Sequence, residues 1–272
     1  MDFTPVCVEH LLAITSPWPS ILAFDVGRYL VAALVLTAVL ALASRAYVAR
    51  RRVRLRTPGS GQRLHELGHS LGTALVFSLV GLGVYHGVEA GIFGVYSRIA
   101  DRGWLYWIAS LILIVLVHDT YFYWTHRWLH HPWLFVRLHR THHVSVAPTQ
   151  WAAYSFSVRE ALTQAAFLPL FLVSVPTHEL VLFIWMGYQV IRNVMGHCGV
   201  ELIPLQWLAA RWWHCFTTTL HHDLHHASGR WNYGLYFAWW DRWCDTEHPE
   251  YRARLAALID GGGRSPTQAV EA

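Results

Sequence analysis

Charge is scarce in this chain. Only 14% of its 272 residues are Asp, Glu, Lys or Arg, against 54% that are apolar. An ordinary soluble domain carries about 25% charged residues. Too few polar groups remain to cover a surface facing only water, and the mean hydropathy is positive. The composition therefore argues against a simple soluble globule and for a bilayer as part of the solvent. Cysteine is scarce as well. Cys7, Cys198, Cys215 and Cys244 form no CxxC pair, which excludes a disulfide framework and leaves free thiols as the expectation. A basic leader is lacking too. Met1-Asp2-Phe3 carries no positive charge, and Glu9 and His10 interrupt the start, so no cleavable signal peptide is expected. The net charge of +4 is modest, and no nucleic-acid partner is expected.

Apolar runs fill the space that charge leaves. Pro5, Pro17 and Pro19 break up residues 1–27. Residues 29–43, with flanks such as Phe24 and Tyr47, reach the roughly 20 residues of a spanning helix. Arg45, Arg50, Arg51, Arg52, Arg54 and Arg56 follow at once. By the positive-inside rule that end is cytoplasmic. A second span is expected over about 71–95, and a third from Trp104 inward to about Trp124. Residues 161–195 are apolar but split at Pro176-Thr177-His178, which reads as a helical hairpin, re-entrant or spanning. Residues 200–260 are more polar and read as a cytosolic cap; 261–272 read as a disordered tail. The expected fold is all-α and integral to a membrane, with about four transmembrane or re-entrant helices under one helical cap.

Two residue counts are high: 15 tryptophans and 19 histidines. Tryptophan favours membrane interfaces. The histidines fall into groups. His126 and His130 form an HxxxH; His139, His142 and His143 form an HxxHH; His222, His225 and His226 form another, preceded by His221. Positions i, i+3 and i+4 share a helix face, and imidazole suits iron, zinc and copper. Eight nitrogens are too many for one ion, so two metals are expected. Every group falls on the side of the arginine run. His197, at the return from the hairpin, is a plausible further ligand. His118 is open between ligation, a supporting hydrogen bond and packing, and His131 is a weaker neighbour of His130. Lone histidines such as His10, His86, His178 and His248 read as ordinary hydrogen-bonded residues. Asp119, Glu160, Asn193, Glu201, Asp223 and Asp241 are candidates to orient ligating histidines. Trp104, Trp107 and Tyr121 are candidates to shape a substrate cleft near the inner leaflet.

One motif competes. His65-Glu66-Leu67-Gly68-His69 is an HExxH, the pattern of zinc metalloproteases, in which glutamate serves as general base. Asp260 could be imagined as a third ligand, but it lies in a polar tail with no apolar span around it. The motif leaves the three histidine groups unexplained. A non-catalytic membrane metal-binding protein is a further alternative.

Residues 118–143, opening His118-Asp119-Thr120-Tyr121-Phe122-Tyr123-Trp124-Thr125-His126-Arg127, resemble the sterol desaturase / fatty acid hydroxylase superfamily. So do Asn193 through Glu201 (N-x-x-G-H-x-x-x-E), and the third box with Asn232-Tyr233-Gly234 and Trp240-Asp241. Trp151-Ala152-Ala153-Tyr154 places the nearest likeness in the sterol C5-desaturase-like branch. The likeness covers about residues 104–251 of what reads as one domain. It departs at Asp245, where the family often has glycine, and near Ser157, where it often has histidine. The resemblance implies a membrane-bound di-iron oxidoreductase that hydroxylates or desaturates a lipid with O₂. It implies a separate electron donor, cytochrome b5-like or ferredoxin-like, and an inner or plasma membrane with the site facing the cytoplasm. Carried over by motif position, the ligands are His126, His130, His139, His142, His143, His222, His225 and His226, with His197 and His221 as additions.

Overall fold

The computed structural model describes residues 15–54 and 56–261; the proposed tail beyond 261 and His10 lie outside them. Three helices among the described residues are long and apolar enough to cross a membrane: α1 (Trp18–Leu42), α3 (Gln62–Glu89) and α4 (Gly103–Leu129). Each is longer than the sequence pattern implies. Pro17 and Pro19 do not interrupt α1 but start it, at positions where the missing N–H costs nothing. The helix α3 begins nine residues before the expected 71, so the HExxH lies on the span's own first turns.

The three helices are inside-out relative to a soluble bundle. Val31, Leu34, Val35, Val39 and Leu42 of α1 are exposed, as are Leu71, Leu75 and Leu79 of α3 and Leu105, Ile108 and Ile112 of α4. Asp25, Ser70, Thr73, Ser78, Ser110 and Asp119 are buried. Lipid wets the apolar face, so the polar groups must find partners inside. Asp25 pairs with Arg28, which also donates to the hydroxyl of Tyr154. Gly81 lets α1 and α3 meet closely: a Cβ there would stand 2.9 Å from Ile21 Cγ2.

Ser44 caps the short α2 (Arg45–Arg51). After α4, a tight helical segment ends in α5 (Arg140–His143). The 161–195 stretch folds as the expected hairpin: α6 (Val158–Ala165) and α7 (Phe167–Ser174) lead up, and α8 (Glu179–His197) returns. At its tip, β2 (Thr177–His178) pairs in parallel with β1 (Val95–Tyr96), in the loop joining α3 to α4. The hairpin thus reaches the end of the bundle remote from the histidines. The remaining residues form a cap of short helices, chiefly α9 (Thr219–Ser228), α10 (Trp239–Trp243) and α11 (Tyr251–Asp260). Thr218 caps α9 by accepting from the His221 N–H, and Gly229, at φ +64°, ends it. The whole of Thr219–His226 is buried.

Arg54 fastens this cap to the bundle. It pairs with Asp223 of α9 and also donates to the Pro148 carbonyl. Arg51 donates to the carbonyls of Glu201 and Ile203. Gly199, at φ +70°, makes room for the Arg54 guanidinium, which a Cβ would strike. The arginine run and the histidine groups therefore share one end of the molecule.

Candidate metal centre

Nine histidines converge in two sets. His126, His130, His139, His143 and His225 form one; His142, His197, His222 and His226 form the other. Within each set the donor atoms all lie within 4.8 Å of one another. Helical geometry does the sorting. The i, i+4 pairs 126/130, 139/143 and 222/226 each stay in one set, because they are about 40° apart around the axis. The middle histidine of each HxxHH, His142 or His225, lies about 60° away on the other side and joins the other set. The rings of His143 and His226 stack across the boundary, 4.7 Å between centroids.

Backbone carbonyls fix the tautomer of four of these rings. Carbonyl oxygens only accept, so an Nδ1 bonded to one must be the protonated nitrogen. His126 donates this way to Tyr233 at 2.9 Å, His225 to Trp231 at 2.7 Å, His226 to Ser145 at 3.0 Å and His197 to Asn193 at 2.7 Å. His139 Nδ1 meets a Glu160 carboxyl oxygen at 2.7 Å, and burial raises the Glu160 pKa well above its ordinary value. The Nε2 atoms of the four rings bonded to carbonyls are left as bare lone pairs, and they face other imidazole nitrogens. His126 and His139 face across 3.2 Å, His143 and His225 across 3.0 Å, His197 and His222 across 3.0 Å, and His222 and His226 across 3.2 Å. Burial and neighbouring imidazoles push His139, His142, His222, His225 and His226 well below the ordinary histidine pKa, and His143 down to about 3. Protons therefore do not relieve the crowding. Adjacent ligands of one ion with bonds of about 2.1 Å stand about 3 Å apart, which is the spacing found. His130 Nε2 adds a buried nitrogen with no hydrogen-bond partner. The donor set fits two metal ions.

Of the ten histidines expected as ligands, His221 alone stands outside both sets. Its ring points towards Asp241, Nε2 to Oδ2 at 3.3 Å. The cause is its position beside His222, about 100° around the same helix. His118 is also outside: Nδ1 meets the Tyr236 hydroxyl at 2.9 Å among Phe167 and Trp185. His131 is exposed ahead of Pro132. His86 pairs with Glu89, His178 accepts from the Leu180 N–H, and His248 accepts from the Glu250 N–H, as expected of lone histidines.

Among the acidic candidates, Glu160 alone meets a histidine of either set. Asp223 pairs with Arg54, and the others hold chiefly backbone. Asp241 accepts from the N–H groups of Tyr233 and Gly234 and so fixes the carbonyl that His126 uses. Asp119 takes the N–H groups of Tyr236 and Phe237 and the Trp239 indole. Glu201 accepts from Leu220 at the start of α9. Asn193 serves through its carbonyl, while its side chain donates to Ala153. The carbonyls of Tyr233, Trp231 and Ser145 had no sequence signal, because every residue has one. Trp104 and Trp107 start α4 at the far end of the bundle, away from any cleft beside the histidines.

The HExxH does not make a metal site. Glu66 is fully buried and accepts from Gln62 at 2.7 Å, the Thr149 N–H at 3.3 Å and the Thr149 hydroxyl. A carboxylate so occupied is not a free general base. His65 is exposed, and among the described residues no third ligand joins it and His69. Asp245, where glycine was expected, sits at φ +53°, the left-handed region that glycine enters freely. Ser157 instead caps α6 and donates to the Leu138 carbonyl.

Comparison with known proteins follows the same residues. The family model described as fatty acid hydroxylase matches residues 111–246, which contain every histidine of both sets. The Delta(7)-sterol 5(6)-desaturase ERG3B of Gibberella zeae is 30% identical over 179 residues, 65% of this chain and 54% of its own length. The lathosterol oxidase of Rattus norvegicus is 31% identical over 152 residues (54% of this chain, 48% of its own), and methylsterol monooxygenase 1 of the same organism 27% over 159 (57% and 53%). The chain spans about half the length of the curated relatives it matches. No solved structure matches it. The family match covers half the chain and holds the motifs that build both histidine sets, and the chain belongs to the fatty acid hydroxylase family, within the sterol desaturase / fatty acid hydroxylase superfamily.

Proposed function

We propose that this protein is a membrane-embedded oxidoreductase that hydroxylates or desaturates a lipid, using two iron ions, O₂ and electrons from a separate donor. One observation carries the reading: nine imidazoles converge in two adjoining sets, the donor atoms of each within 4.8 Å of one another. The names of the relatives, sterol desaturases and methylsterol monooxygenases, support a lipid as substrate. When bound, the irons would supply O₂ activation against an unactivated C–H bond. The chain supplies the rest. His126, His130, His139, His143 and His225 would hold one ion, and His142, His197, His222 and His226 the other. Glu160 and the four carbonyls fix tautomer and ring direction. Burial of the sets keeps bulk water from the reacting centre. The arginine run supports a cytoplasmic site, with the hairpin α7–α8 as a fourth membrane-inserted element. The donor would dock on the cap, cytochrome b5-like or ferredoxin-like.

Elemental analysis of detergent-purified protein tests the metal, and lipid mass spectrometry of expressing cells tests the reaction. Two irons per chain are expected, with lipids gaining an oxygen or losing two hydrogens, and both effects absent in His142→Ala and His225→Ala. A single zinc that leaves with His65→Ala but survives the box variants would overturn the reading in favour of a protease.

A further inference from the structure

The arginine run encloses a feature that the metal centre does not use. A cavity of about 820 Å³ lies between the last turns of α1, the segment after α2, the start of α3 and the turn at 198–200. That size is within the roughly 300–1,000 Å³ of small-molecule sites. Arg52, Arg54, Arg56 and Arg63 line it, and among the described residues no carboxylate does. Arg54 is committed to Asp223 and Pro148. Arg52, Arg56 and Arg63 are exposed and make no hydrogen bond or ion pair among the described residues. Guanidinium stays charged at any physiological pH, so three like charges border one concave space without a counter-charge. Apolar side chains share the lining: Leu40 of α1, Val48 of α2 and Leu64 of α3. The exposed Leu34 continues this lining along α1, three residues before Thr37 and seven before Ala41.

We propose that this cavity binds the phosphate head of an anionic lipid, with its acyl chains laid along α1. Guanidinium forks match phosphate oxygens, and basic residues just beyond a membrane helix attract anionic lipid. A merely solvated arginine run would need neither a cavity nor an apolar lining. An acidic protein would meet the projecting charges but would leave the concave, half-apolar space unfilled. The inference rests on α1 lying in a bilayer, as proposed above, and not on the metal chemistry.

The test uses the full, metal-loaded chain, delipidated in a neutral maltoside detergent. Native mass spectrometry and thermal unfolding follow the addition of phosphatidylglycerol, phosphatidylcholine or inorganic phosphate. Phosphatidylglycerol is expected to stay bound and raise Tm, and phosphatidylcholine to do neither. The triple variant Arg52→Gln/Arg56→Gln/Arg63→Gln, which spares Arg54, should bind phosphatidylglycerol on the order of a hundredfold more weakly, with metal content unchanged. Arg45→Gln/Arg50→Gln removes two exposed arginines outside the cavity and should bind as the parent does. Equal loss in that variant would reduce the effect to net charge and overturn the site. Equal stabilisation by phosphatidylcholine overturns it too. Inorganic phosphate acting as strongly as the lipid would assign the cavity to a soluble phosphate compound instead. Missing iron with lipid binding intact would sink the proposed reaction and leave this site standing.

Discussion

His126 and His139 face each other Nε2 to Nε2 across 3.2 Å, their Nδ1 atoms held by the Tyr233 carbonyl and the Glu160 carboxyl group. A proton and a metal ion compete for the same lone pairs. Outside the spanning helices, His139, His142, His143, His222, His225 and His226 all titrate below their ordinary value of 6.5. The folded pKa is thus lower than the unfolded one, and below pH 6.5 the unfolded chain takes up more protons. Stability of the metal-free protein is full above that pH and falls as pH drops beneath it. Metal release should likewise come below 6.5. Metal retention and Tm followed from about pH 8 to about pH 4 check this; complete release already above 6.5 would contradict it.

Glu160 orients one ligand of one set. Glu160→Ala should lower affinity for the ion of the five-histidine set by about 10–100-fold and spare the four-histidine set. Glu160→Gln keeps an acceptor and should lose less. Stepwise chelation with elemental analysis distinguishes loss of one ion from loss of both.

Arg54 and Asp223 form a buried pair that clamps the cap. Arg54→Met leaves the Asp223 carboxylate without its counter-charge and should cost about 3–5 kcal/mol. Arg54→Met with Asp223→Leu removes both charges and should recover much of the loss. Unfolding in detergent measures both; a double variant no better than the single one would show that the pair does not act as a unit.

His65 is exposed and outside either set. His65→Ala should leave metal content and Tm unchanged, whereas Glu66→Ala, which strands the buried Thr149 hydroxyl, should lower Tm without removing metal. Metal loss in the His65 variant would reopen the HExxH as a site.

Asp245 holds a left-handed backbone that costs an L-residue about 1 kcal/mol. Asp245→Gly relieves this at some cost in chain entropy and should be neutral or stabilising by up to about 1 kcal/mol. A clear fall in Tm would show that the Asp245 side chain has a role beyond this turn.

The sequence alone determined which residues would gather and on what face. Scarce charge and long apolar runs required helices that bury polar groups, and HxxxH and HxxHH spacing required imidazoles on one side of a helix. The split at Pro176 required a break in the fourth apolar stretch. Tertiary structure decided the assignment of ligands to sets. Spacing turns the middle histidine of each HxxHH away from its two partners, but which set each face meets depends on how α4, α5, α8 and α9 pack. It also decided the supports. Four of the five groups that fix the ligating rings are backbone carbonyls, which carry no residue signature. The Arg54–Asp223 clamp joins positions 169 residues apart, where local pattern says nothing about who meets whom.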